Sequence, residues 1–295
     1  MRRLKEYFTE GIVSETLQTI GAEIETQFVD LDNNPISTQM SQQMLMLLVE
    51  RGEWRADSQK GGLITSLVDS RGNKIFYELG RHNIEVATAV STPDQVLSVT
   101  QGCLDQVYEA AQEVGAKPYF APILPGEEDL LVIPDERDAT WLELDGRDAL
   151  APLARASAVQ FTISVASEEA IEILNALGRR IDLFLSDYPQ DAIWRRYIAE
   201  SFAGYIFDRY GGPLAFESLD DYCQSIIRHD VVEGSSLVPF ASMEEVDIPL
   251  YLRSVWWYFR LKRYGDALCV EVRPIARRTD DKFQDQLKMT LAAIC

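Results

Sequence analysis

The chain has 295 residues, with 28 Lys and Arg against 47 Asp and Glu, a formal net charge of −19. Such a balance argues against nonspecific binding to nucleic acid or to an anionic membrane, both of which need a basic surface. Hydrophobic residues make up 46% and charged residues 25%, ordinary for a soluble globular protein of one large domain or two small ones. No apolar run is long enough to span a bilayer, and no apolar signal core follows the basic start at Arg2 and Arg3, so a cytoplasmic protein is expected. The four cysteines, Cys103, Cys223, Cys269 and Cys295, lie far apart without Cys-x-x-Cys spacing, which suits a reducing compartment and no zinc knuckle. Only two histidines occur, His82 and His229, and neither sits in a pattern that suggests a zinc site or a triad.

In chain order, residues 19–30 alternate as a strand that ends at the turn Asp32-Asn33-Asn34-Pro35. Residues 39–50 read as a Met- and Leu-rich helix. Residues 63–68 and 74–79 read as a hairpin around Asp69-Ser70-Arg71-Gly72-Asn73, and 83–90 as a further strand. Ser91-Thr92-Pro93-Asp94 signals a helix start, and Gly115 a stop after Val114. Residues 118–150 carry several Pro, Gly and acidic residues and are expected to be a long surface loop. A strand over 156–165 is followed by helices over 167–187, 190–209 and 218–229, and by a loop to 242. The aromatic-rich stretch 250–263 is expected to be helical, 267–275 a strand and 280–294 a closing helix. The order predicts an α+β fold with a mostly antiparallel sheet rather than regular βαβ alternation.

Four of these strands are polar on one face. In Gly21-Ala22-Glu23-Ile24-Glu25 the two carboxylates are two residues apart and point the same way. Two like charges side by side are unfavourable unless a cation sits between them. Glu85 shares a face with Asn83 and Ala87, opposite Ile84 and Val86. Gln160 and Thr162 oppose Val159, Phe161 and Ile163. Glu271 and Arg273 oppose Val270 and Val272. If the four form one sheet, helices cover the apolar side, and the polar side becomes a basin of Glu23, Glu25, Glu85, Gln160, Glu271 and Arg273. Oxygen ligands without histidine or thiolate suit Mg²⁺ or Mn²⁺, and Arg273 suits a phosphoryl group or an anionic intermediate. The plain alternative is a solvated sheet face, on which Lys and Thr would be mixed among the acids; these four strands place no Lys there.

Together these segments resemble the glutamate–cysteine ligase family, in its carboxylate–amine ligase branch. The resemblance rests on the first strand Gly21-Ala22-Glu23-Ile24-Glu25, the strand Asn83-Ile84-Glu85-Val86-Ala87-Thr88, the strand bearing Gln160, and Glu271-Val272-Arg273 after the Trp-rich stretch at 254–260. Thr162 stands where many members have Asn, and Gln160 where one branch has His. The resemblance implies a fold like the glutamine synthetase catalytic domain, over 1–295 as a single catalytic domain. It implies ATP and Mg²⁺ (or Mn²⁺) as cofactors, and amide formation, usually on the γ-carboxylate of glutamate, through an acyl phosphate. Glu23, Glu25, Glu85, Gln160 and Glu271 would hold metal, Glu25 and Arg273 would act in the reaction, and Arg273 would contact the phosphoryl group. The partners implied are an amino acid and an amine, with the acceptor and any homo-oligomer left open. A Mg²⁺-dependent phosphohydrolase or phosphotransferase, or a noncatalytic nucleotide-binding relative, would use the same basin.

Several further residues carry two readings. Glu78 is an extra ligand or a solvated strand end. Arg155 contacts a cofactor or substrate carboxylate, or forms a surface ion pair. Trp256, Trp257, Tyr258 and Phe259 stack on adenine or form core. His82 is a general base or structural. Arg277 and Arg278 bind phosphate or begin a solvated helix face, and 135–138 is most simply a solvated charge run. The segment 118–150 is the candidate cover of the site.

Overall fold

The computed structural model describes residues 1–132 and 136–294. Nine strands form one sheet: β1 (Ile20–Asp30), β2 (Trp54–Lys60), β3 (Leu63–Asp69), β4 (Lys74–Tyr77), β5 (Asn83–Ala87), β6 (Ala116–Tyr119), β7 (Ala158–Ser164), β12 (Phe259–Tyr264) and β13 (Ala267–Ala276). The path across it is β12-β13-β7-β1-β5-β4-β3-β2, every pairing antiparallel, with β6 paired to the far end of β1. Four short strands pair outside it: β8 (Tyr210–Gly211) with β11 (Trp256–Trp257), and β9 (Val231–Glu233) with β10 (Ser236–Val238). The four strands with polar faces thus lie together as β13-β7-β1-β5, an α+β architecture with a mostly antiparallel sheet.

The helices in chain order are α1 (Arg2–Thr9), α2 (Thr38–Glu50), α3 (Val96–Glu113), α4 (Glu136–Asp145), α5 (Arg147–Leu150), α6 (Ala170–Arg179), α7 (Ile181–Leu185), α8 (Gln190–Glu200), α9 (Leu219–Ile227), α10 (Ile248–Leu252) and α11 (Phe283–Ile294). Helix α2 starts where Ser37 caps it, its side chain accepting from the Met40 backbone N–H at 3.2 Å. Helix α3 lies against β1, β5 and β6, and α6 and α7 against β12 and β13. They cover the face formed by Ile24, Phe28, Ile84, Val86, Phe161, Ile163, Val270 and Val272, each at most 1% exposed. No helix among the described residues is long and apolar enough to cross a membrane. Cys103, Cys223 and Cys269 are buried and unpaired, and Cys295 lies outside the described residues.

Several expectations are corrected, among them the helix expected over 190–209, which ends at Glu200. Residues 250–263 hold the strands β11 and β12 after the end of the short helix α10. Trp257, Tyr258 and Phe259 are all buried, so the run has no solvent side and its two-residue period is hidden. Residues 54–60, not assigned from sequence, form the edge strand β2, whose polar composition matches its exposed pattern. The stretch 118–150 is not one irregular loop: it includes the end of β6, then α4 and α5. Of the charge run 135–138, Asp135 lies outside the described residues, and Glu136 opens α4.

Candidate active site

Register brings the polar residues of the sheet together. Glu25 sits directly across from Glu85, Glu23 across from Gln160, and Glu271 across from both Thr162 and Arg260. Directly opposed residues of antiparallel strands share a face. All of them line one cavity of about 820 Å³, within the size range of small-molecule sites. Its floor is the polar sheet face. One end is walled by Trp141, Leu150, Trp194, Tyr197, Tyr210 and Trp256, so the segment 118–150 contributes to the cover through α4 and α5. Trp256 packs edge-on against Trp141, with ring centroids 5.0 Å apart, and against Tyr197, at 5.9 Å. The aromatic cluster is therefore both core and cavity wall.

The acids divide into two groups. In the first, one carboxylate oxygen from each of Glu25, Glu78 and Glu85 lies within 4.8 Å of the others. Glu78 follows β4 in the alternation of Lys74 and Phe76, which already places it on this face. Its turn is set by Gly80, where a Cβ atom would come within 2.5 Å of the Ala154 carbonyl oxygen. Glu85 is 3% exposed. Glu25 accepts from the Ala158 backbone N–H at 2.9 Å and from Gln160 Nε2 at 3.2 Å. Burial, and then the neighbouring Glu78, push both the Glu25 and Glu85 carboxyls well above the usual carboxylate range. The Gln160 amide oxygen, Oε1, is buried with no hydrogen-bond partner, and so is Thr162 Oγ1. That buried carbonyl oxygen and the three crowded carboxylates together make a set of oxygen donors able to hold a cation. Hard oxygen donors of this kind suit Mg²⁺ or Mn²⁺.

The second group is compensated from within. Glu271 is 0% exposed and pairs with Arg260, with Lys262 at 2.7 Å and with Arg273 at 3.0 Å. Burial alone would raise its pKa, but Arg260, Lys262 and Arg273 outweigh it and hold the carboxyl well below the usual range. Lys262 also reaches Glu23 at 3.2 Å. Burial opposes the Lys262 charge, yet Glu23 and Glu271 raise its pKa overall; Glu271 and Glu23 do the same for Arg273. Arg260 and Lys262 are not among the sequence candidates, because β12 lies in the stretch expected to be helical. With its strand period, the run Arg260-Leu261-Lys262 puts both cations on the acidic face. The lysine expected of a plain solvated face is therefore present, but it bridges two buried or half-buried acids rather than standing in solvent.

The remaining candidates lie elsewhere. Arg155 is 7% exposed and is not among the residues lining the cavity. Its guanidinium donates to the backbone carbonyls of Pro125, at 3.0 Å, and Glu128, and Gly126 with φ +115° leaves room for it. It pins the 124–128 segment. His82 is fully buried with Nε2 3.1 Å from Gln27 Oε1, and burial followed by Arg155 and Arg81 pushes its pKa down to about 3, so it is a neutral structural group. Arg277 is buried on the helix side between Phe120 and Phe283, donating to Thr26, Tyr108 and Asp280. Arg278 pairs with Asp187.

No family model matches the sequence, and no curated protein matches it. Among solved structures the fold is similar to the bifunctional glutathione synthetase of Pasteurella multocida, with a TM-score of 0.54, 10% identity, and 94% of this chain and 39% of that one covered. It is also similar to a glutamate–cysteine ligase of Francisella tularensis in complex with AMP, with a TM-score of 0.52, 11% identity, and 95% and 67% covered. The chain thus spans well under half of the first and about two thirds of the second. At these identities the likeness is one of fold.

Proposed function

We propose that the chain is an ATP- and Mg²⁺-dependent carboxylate–amine ligase that forms an amide bond through an acyl phosphate, with glutamate or a similar amino acid as the carboxylate substrate. One observation carries this reading: a single cavity holds three crowded carboxylates with an unpaired amide oxygen, and beside them a guanidinium fixed by a buried acid. A phosphoryl-transfer site needs both, because it works mainly by positioning and charge neutralisation. The fold shared with two ligases, one of them in complex with AMP, supports it.

In this reading Glu25, Glu78, Glu85 and Gln160 hold the metal, with Mn²⁺ as the alternative ion. Bound there, Mg²⁺ neutralises phosphate oxygens and screens the three carboxylates from one another. Glu271 orients Arg273, which faces the anionic phosphoryl group and then the oxyanion formed when the amine attacks the acyl carbon. The γ-phosphoryl of ATP passes to a carboxylate oxygen and ADP leaves. The amine lone pair then forms the C–N bond, the C–O bond to phosphate breaks, and inorganic phosphate departs with the proton lost from the nitrogen. The aromatic wall of Trp141, Trp194 and Trp256 keeps water from the acyl phosphate. Residues 1–295 act as one catalytic domain, and Cys103, Cys223 and Cys269, buried and unpaired among the described residues, suit a reducing, cytoplasmic setting.

The test is ADP release from Mg·ATP across a panel of amino acids, each alone and paired with glutamate. Release that requires a carboxylate and an amine together is the expected result, and Glu25→Gln lowers it at least a hundredfold while the chain stays folded by circular dichroism. Release without any amino acid would identify a phosphohydrolase instead. Full activity of Glu25→Gln would remove the metal site from the account.

A further inference from the structure

The polar sheet face holds five carboxylates, yet they are not equally in need of an added cation. Glu23 and Glu271 enclose the Lys262 ammonium, which lies 3.2 Å from one and 2.7 Å from the other. Arg260 and Arg273 complete that corner, so two acids face three cations. Lys262 is set in place by its strand. It alternates with Arg260 along β12, is paired in register with Cys269 of β13, and lies 5.0 Å from the Tyr264 ring centroid. At the other group no Lys or Arg lies within ion-pair distance of Glu25 or Glu85 among the described residues, and Gln160 Oε1, in a side chain 5% exposed, has no partner.

We propose that Lys262 is a resident cation standing where a second divalent ion would otherwise bridge Glu23 and Glu271, so that the free protein binds one divalent ion, at Glu25, Glu78, Glu85 and Gln160. This deepens the proposed function and rests on its metal site. An ammonium donates three hydrogen bonds and carries one positive charge without needing uptake from solution. A divalent ion entering between Glu23 and Glu271 would have to displace it against Arg260 and Arg273, whose like charges repel a further cation. The Lys262 corner is thereby a permanent, metal-independent anchor for Arg273, while the Glu25 group alone responds to metal concentration.

Mn²⁺ titration of the nucleotide-free protein, followed by electron paramagnetic resonance of the free ion, counts the sites. The expected result is one site in the wild type, one in Lys262→Arg, which keeps the charge, two in Lys262→Ala, and none in Glu85→Gln. Two sites in the wild type would overturn the resident cation while leaving the metal site standing. A single site in a folded Lys262→Ala protein would also overturn it. No Mn²⁺ bound by the wild type would remove the metal site itself and the inference with it. The Lys262→Arg variant and the wild-type count keep the test decisive if the alanine variant fails to fold.

Discussion

Two corners of the same sheet face handle buried charge in opposite ways. At Glu271 the chain supplies the compensation: three cations from β12 and β13 surround a carboxylate with no solvent exposure. At Glu25, Glu78 and Glu85 three carboxylates crowd together and two of them are driven toward protonation. The first corner is complete as folded. The second holds like charges at close quarters, and in the proposed function a divalent ion relieves them. The contrast teaches that a count of acids on a strand face does not describe their electrostatics; the cations that neighbouring strands bring to each acid do.

The same near-isosteric change at the two corners breaks the symmetry most sharply. Glu271→Gln leaves Arg260 buried without its carboxylate, and removal of one partner from a buried ion pair costs about 3–5 kcal/mol. Denaturant unfolding is expected to show a loss of that size, and a change below about 1 kcal/mol would mean that the corner is not the charge hub described. For this reason Glu271 variants read out stability, and Glu25 variants are the cleaner probe of chemistry.

A third way of handling buried charge is to lose the proton, as His82 does. Its folded-state pKa of about 3 lies below the ordinary 6.5, so between those values the unfolded chain binds a proton that the folded chain does not. Stability contributed by this group is present above pH 6.5 and falls as pH drops toward 3, by about 1.4 kcal/mol per pH unit at most. His82→Gln is expected to show a shallower acid slope in melting temperature than the wild type. Identical slopes would mean that His82 is protonated or exposed in the fold.

Glu85→Gln should give the smallest effect and the opposite sign to Glu271→Gln. Relief of repulsion from Glu78, Glu23 and Glu25 is expected to stabilise the chelator-treated protein by on the order of 1 kcal/mol. The same variant should lose the rise in melting temperature that Mg²⁺ gives the wild type. Destabilisation in chelator would show that the three acids are already compensated.

Much of this face was legible in the sequence because β1, β5, β7 and β13 alternate cleanly between polar and apolar residues. Their adjacency is only a condition of that basin in the sequence, and the sheet order supplies it. What stayed hidden has physical causes. Trp257, Tyr258 and Phe259 are all buried, which hides the strand period leading into β12 and with it Arg260 and Lys262. Glu78 lies just past the end of β4, where alternation alone does not separate a ligand from a solvated strand end. Arg155 reads as a surface charge in sequence, yet it is buried because three backbone carbonyls converge on it.

The central claim, that a carboxylate is activated by ATP and then captured by an amine, is tested most directly by oxygen transfer. Glutamate labelled with ¹⁸O in its γ-carboxylate, incubated with Mg·ATP and the amine that supports ADP release, is predicted to yield inorganic phosphate carrying one ¹⁸O. Phosphate free of label alongside amide formation, or ADP release that needs no amino acid, would contradict the account.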